Sequence, residues 1–157
     1  MDFIEKLPPS SGFDTILVIV DRLSKQSIFI PTYDTITSTE LAKLFVIHVF
    51  SKHGVPSHVT SDHGSEFMSS FFRTLSKALD MKLHFTSSYH PRGNHQTEHT
   101  NQTLEQYLWI YCNYQHSNWS DLLLLAEFAY NTPNVTTGVS PFFANKGYNP
   151  YLSVHTE

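Results

Sequence analysis

The order in which the apolar pattern changes limits what this chain can fold into. Its first third reads as strands, and the remainder as helices broken by short strands. Asp2 to Leu7 alternates weakly and stops at Pro8-Pro9, and Ser10-Ser11-Gly12 marks a turn. Phe13 to Val20 is rich in Ile and Val and suits a central strand, and Gln26 to Pro31 forms a third short one. Strands joined by turns this short predict an antiparallel meander. A helix follows. Thr37 with Glu40 predicts a capping box, and Leu41, Leu44, Phe45, His48 and Val49 recur at helical spacing until Gly54 and Pro56 end the run.

Further on, the pattern predicts a short strand over Ser57 to Ser61, a helix over Phe67 to Leu79 and a strand over Lys82 to Thr86. A loop containing Pro91 and Gly93 leads into a long helix from about His95 to about Tyr114, and a last helix covers Asp121 to Tyr130. The resulting order, β-β-β-α-β-α-β-α-α, predicts an α/β fold. Its sheet is expected to be mixed and five-stranded, with three antiparallel strands, then helix-linked parallel strands, and helices on its faces. A length of 157 residues fits one domain with a sizeable core. In such sheets ligands bind beyond the carboxyl ends of the parallel strands, where Asp62 falls.

Composition narrows the function. A hydrophobic content of 40% excludes a disordered chain. The single cysteine, Cys112, excludes an internal disulfide and makes a reducing compartment the default. Asp2 and Glu5 stand where a secretory signal would be basic and then apolar, and the apolar runs are too short to span a bilayer, so no membrane partner is expected. A net charge of −4 weighs against gripping nucleic acid by bulk charge alone. It leaves room for a metal-dependent enzyme acting on phosphates, because bound cations invert the local field.

Three carboxylates carry that possibility. Asp62 and Glu98 are separated by 35 residues, and Asp2 stands upstream of both. Asp62 ends an apolar run, with Gly64 permitting a tight turn after it, and Glu98 lies near the start of the long helix. Carboxylates at element ends can converge, and convergent carboxylates hold hard divalent cations.

The flanking motifs are Met1-Asp2-Phe3-Ile4, Val20-Asp21-Arg22-Leu23-Ser24-Lys25, Ser61-Asp62-His63-Gly64-Ser65-Glu66-Phe67, Tyr89-His90-Pro91 and Gln96-Thr97-Glu98 with Asn101. Ala126-Glu127-Phe128-Ala129-Tyr130-Asn131 and Gly138-Val139-Ser140-Pro141-Phe142 follow. Jointly, over nearly the whole chain, they resemble the integrase catalytic core of gypsy-type long-terminal-repeat retrotransposons.

The resemblance implies that residues 1–157 form one integrase core domain with a ribonuclease-H-like fold, its amino-terminal strand expected to be truncated. It implies a D,D(35)E triad of Asp2, Asp62 and Glu98 binding two Mg²⁺ or Mn²⁺ ions. One ion would activate water to trim the element's DNA 3′ end, and the same site would then activate that 3′-hydroxyl to attack target DNA. Gln96, Asn101 and Lys25 are the candidate contacts to nucleic acid. The expected partners are the element ends, target DNA, and RNA as a further nucleic acid. A homodimer or higher multimer is expected, with Leu122 to Ala126 as interface or core. The location implied is the nucleus, after a cytoplasmic particle stage.

Two other readings stay open at this point. His95-Gln96-Thr97-Glu98-His99 spells H-x-x-E-H, a zinc-protease pattern, although five-residue matches arise readily by chance. The chain also carries His63 and His99 where the resembled family usually has arginine, His95 where it has glycine, and Leu124 where it has proline. Those departures suit an inactive, decayed or co-opted binding module.

Overall fold

The computed structural model describes residues 1–56, 59–61, 65–79, 95–112, 117–133 and 138–151, with backbone alone at 65, 66, 95–98 and 109. The strands are β1 (Asp2–Ile4), β2 (Thr15–Val20) and β3 (Ser27–Thr32). They form an antiparallel sheet in the order β1-β2-β3, with Asp2 opposite Val18 and Val18 opposite Phe29. The meander expected from the first third of the sequence is present.

The five-stranded mixed sheet is not. Among the described residues the sheet has three strands, all antiparallel. Val59, Thr60 and Ser61 are not a strand; the Met1 nitrogen donates to the Thr60 carbonyl at 2.7 Å. The bond to this segment comes from Met1, one residue before β1 begins, whereas the ladder of β1 itself is made with β2. Lys82 to Thr86, the other expected strand, lies outside the described residues.

The helices are α1 (Ser38–Phe45), α2 (Ser51–His53), α3 (Ser65–Ala78), α4 (His95–Tyr111), α5 (Trp119–Asn131) and α6 (Pro141–Lys146). A π-helical turn, Val46–Phe50, joins α1 to α2. The capping box starts α1 as expected: Thr37 Oγ1 accepts from the Glu40 amide, and Glu40 Oε2 accepts from the Thr37 amide. Gly54 takes a positive φ of 79° where this run ends. Sequence reasoning overlooked α6, although its signals were legible. Ser140 caps it through the Phe143 amide, Pro141 opens it, and Gly147 closes it in the left-handed region.

Strand β2 explains the core. Ile16, Leu17 and Val18 are all fully buried, because alternate side chains enter two different apolar layers. Leu17 joins Ile30, Leu41, Phe45, Phe71 and Leu75 on the α1–α3 side. Ile16 and Val18 join Phe29, Leu104, Leu108, Trp119 and Leu123 on the α4–α5 side. An apolar run without polar alternation is what a strand covered on both faces requires. No helix among the described residues is long and apolar enough to cross a membrane.

Helix α5 is anchored at both ends. Trp119 Nε1 donates to the Pro8 carbonyl at 2.6 Å, and Ser10 Oγ accepts from the Ser120 amide at 3.1 Å. At its other end α5 meets the free edge of β3, where Glu127 Oε2 accepts from the Phe29 amide at 2.9 Å. Burial raises the Glu127 carboxyl above its ordinary value, against the Phe29 amide and Lys52, which pull it down. The folded state therefore holds this proton more tightly than the unfolded chain. Its contribution to stability is greatest in acid and is lost as pH rises from the ordinary carboxylate range through the raised value. Glu127→Gln keeps an acceptor and removes the charge. It is expected to flatten the fall in Tm as pH rises above the ordinary carboxylate range; an unchanged slope on calorimetric scans would count against this account.

Candidate active site

Strand β1 brings Asp2 to the middle of the fold, because its neighbour β2 is the most deeply buried element. The carboxylate of Asp2 is held at both oxygens. Oδ1 accepts from the Phe3 amide at 2.9 Å, and Oδ2 accepts from Asn101 Nδ2 at 2.7 Å. A charge-assisted bond of that length fixes the orientation of the carboxylate and leaves lone pairs for further partners.

Asn101 reaches Asp2 because α4 is packed firmly. Leu104 and Leu108 bury its apolar face in the layer that holds Ile4, Ile16 and Val18. Thr100 is fully buried and shares a 3.0 Å hydrogen bond with the Tyr130 hydroxyl of α5. Glu98 lies on the same helix, three residues before Asn101, a spacing that puts two positions on one helical face.

Of the expected triad, only Asp2 has a described side chain. Asp62 lies outside the described residues, one position after Ser61, and the Glu98 side chain lies outside them as well. The same holds for Gln96, and for His95 within the H-x-x-E-H pattern; His99 is exposed. Lys25 sits in the β2–β3 turn with φ 64°, its ammonium donating to the Arg22 carbonyl at 2.8 Å. In that turn the Ser24 hydroxyl and amide both donate to Asp21. Burial would raise the Asp21 carboxyl, but these bonds, together with the Leu23 amide and the nearby His53, outweigh it and hold the group below its ordinary value.

The direct bond from Asn101 to Asp2 was not foreseen. The spacing of three from Glu98 was the available signal, but it does not say which strand the helix faces.

Among the described residues no three His, Cys, Asp or Glu side chains come together as a metal site. Asn101 Oδ1 is buried without a hydrogen-bond partner among them. The Asp2 carboxylate is a hard oxygen donor of the kind that Mg²⁺ and Mn²⁺ prefer.

The chain has the fold of the ribonuclease-H-like integrase cores. It matches the HTLV-2 integrase catalytic core domain solved in complex with magnesium in trimeric form, at a TM-score of 0.65 and 19% identity, covering 92% of this chain and 93% of that one. The dimeric form gives 0.64 at 20% identity, covering 90% of each chain. A chain of the simian T-cell lymphotropic virus intasome, in complex with PP2A regulatory subunit B56 gamma, gives 0.69 at 20% identity and covers 99% of this chain and 56% of that one.

Residues 1–91 match the integrase core domain family, and the chain belongs to that family. It is 34% identical over 154 residues to the Tf2-3 and Tf2-4 transposon polyproteins of Schizosaccharomyces pombe, covering 98% of this chain. It spans 12% of the length of those polyproteins. The retrotransposon resemblance read from the motifs is thereby borne out.

Proposed function

We propose that this domain performs the chemistry of retroelement integration: metal-dependent trimming of DNA 3′ ends, then transfer of the new ends into target DNA. The observation that carries the reading is the 2.7 Å bond from Asn101 to Asp2, which ties the helix bearing Glu98 to the strand bearing Asp2. The bond between the Met1 nitrogen and the Thr60 carbonyl supports it, because that segment leads within two residues to Asp62 in the sequence.

In this reading Asp2, Asp62 and Glu98 hold two Mg²⁺ or Mn²⁺ ions, which when bound activate the attacking hydroxyl and stabilise the leaving oxygen. Asn101 keeps the Asp2 carboxylate in one orientation, and the packing of α4 keeps Asn101 in place. Gln96 and Lys25 contact DNA backbone, where they fix register rather than read sequence. The domain works as a dimer or higher multimer in the nucleus. The exposed Leu124, Leu125 and Phe128 on α5 offer an apolar surface for self-association, whereas Leu123 and Ala126 of the same run belong to the core.

The test is a strand-transfer assay with element-end DNA and Mg²⁺ or Mn²⁺. Product is expected from the parent and is expected to vanish in Glu98→Gln. Absence of product from a folded parent, with the flanking polyprotein regions supplied, would favour the inactive binding module instead.

A further inference from the structure

In the described sheet β3 is an edge strand, and an exposed edge offers unpaired N–H and C=O groups to any other strand. In an antiparallel pair alternate residues turn these groups outward. On β3 the outward positions are Ser27, Phe29 and Pro31, because the Phe29 amide bonds Glu127 rather than β2. None of the three has an N–H left to offer, and at Ser27 the carbonyl is taken as well. The Ser27 amide donates to Asn131 Oδ1 at 2.9 Å, and Asn131 Nδ2 donates back to the Ser27 carbonyl at 2.8 Å. The Phe29 amide is taken by Glu127 Oε2. Pro31 has no N–H to offer.

The match follows from repeat lengths. Residues four apart on a helix are separated by about 6 Å along its axis, and residues two apart on a strand by about 6.6 Å. Glu127 and Asn131 are four apart on α5, while Phe29 and Ser27 are two apart on β3 and run the opposite way. The next helix position in that register is Leu123, which is buried in the core and cannot accept a hydrogen bond. Its counterpart on the strand is Pro31, the one outward residue that needs no acceptor. Asn131 is itself buried, so its carboxamide is committed to the edge.

We infer that Glu127 and Asn131 make α5 a surrogate strand that closes the β3 edge against a second copy of this chain. This inference does not rest on the catalytic reading, and its test involves no DNA.

Hydrogen exchange by NMR should find the Ser27 and Phe29 amides of the parent at least about 100-fold slower than unprotected amides. The double variant Glu127→Ala/Asn131→Ala should lose that protection when dilute. It should regain it with rising concentration, as sedimentation velocity shows association beyond that of the parent. Rapid exchange of both amides in the parent would overturn the inference. So would a folded double variant that sediments as the parent does at every concentration. If the double variant does not fold, Glu127→Ala alone, followed at Phe29 by the same two measurements, decides in the same way.

Discussion

Asp2→Asn is expected to reduce metal-dependent strand transfer by about 100- to 1,000-fold, the loss that corresponds to about 3–4 kcal/mol of transition-state stabilisation. The substitution keeps the shape of the side chain and removes its charge. The amide that replaces one carboxylate oxygen would face either the Phe3 amide or Asn101 Nδ2, both of which are donors. The domain should still fold but lose about 1–3 kcal/mol, because one of the two bonds to the carboxylate is replaced by facing donors. Metal binding separates this effect from misfolding. Mn²⁺ should raise the Tm of the parent by mass action and should raise that of Asp2→Asn much less. Asn101→Ala should fall between the two, losing about 10- to 100-fold in activity, as second-layer partners of metal ligands commonly do. Equal activity of Asp2→Asn and parent would remove Asp2 from the chemistry.

Trp119→Ala is expected to cost about 4 kcal/mol or more, through a large cavity and a carbonyl left without its donor. Trp119 is 2% exposed, packs with Phe29, Leu104 and Leu123, and donates to the Pro8 carbonyl at 2.6 Å. Because domains have only about 5–15 kcal/mol in total, Tm should fall by roughly 10–15 °C. Trp119→Phe, which restores most of the volume but not the N–H, should lose less than half of that. The site should also suffer, because α5 holds α4 through the Thr100–Tyr130 bond and α4 holds Asn101 against Asp2. A shift under about 3 °C on thermal unfolding would show that α5 is not a structural support.

These two substitutions act on one continuous chain of contacts. Pro8 and Ser10 in the β1–β2 connection fix the start of α5, and α5 fixes α4. Helix α4 in turn reaches back to β1 at Asp2. The β1–β2 connection thus bears on how the Asp2 carboxylate is held by way of two helices, and activity should be sensitive to substitutions at Ser10 and Ser120 that leave Asp2 untouched.

The elements that sequence reasoning identified correctly owe their legibility to local chemistry. The capping box at Thr37 and Glu40, the Ile- and Val-rich run of β2 and the turn at Ser10 to Gly12 are each specified by neighbours within a few residues. The family membership was equally readable, because motif order and the spacing of Asp62 from Glu98 are properties of the chain itself. What tertiary structure alone decided were the pairings between elements far apart in sequence. Nothing local shows that Asn101 will bond Asp2, 99 positions away, or that Asn131 will bond Ser27, 104 positions away. The sheet was misjudged for the same reason. Whether Val59 to Ser61 forms a ladder depends on which backbone lies beside it, and the bond made there comes from Met1, ahead of β1. Apolar pattern sets which face of an element is buried, but the partner that buries it is chosen by packing.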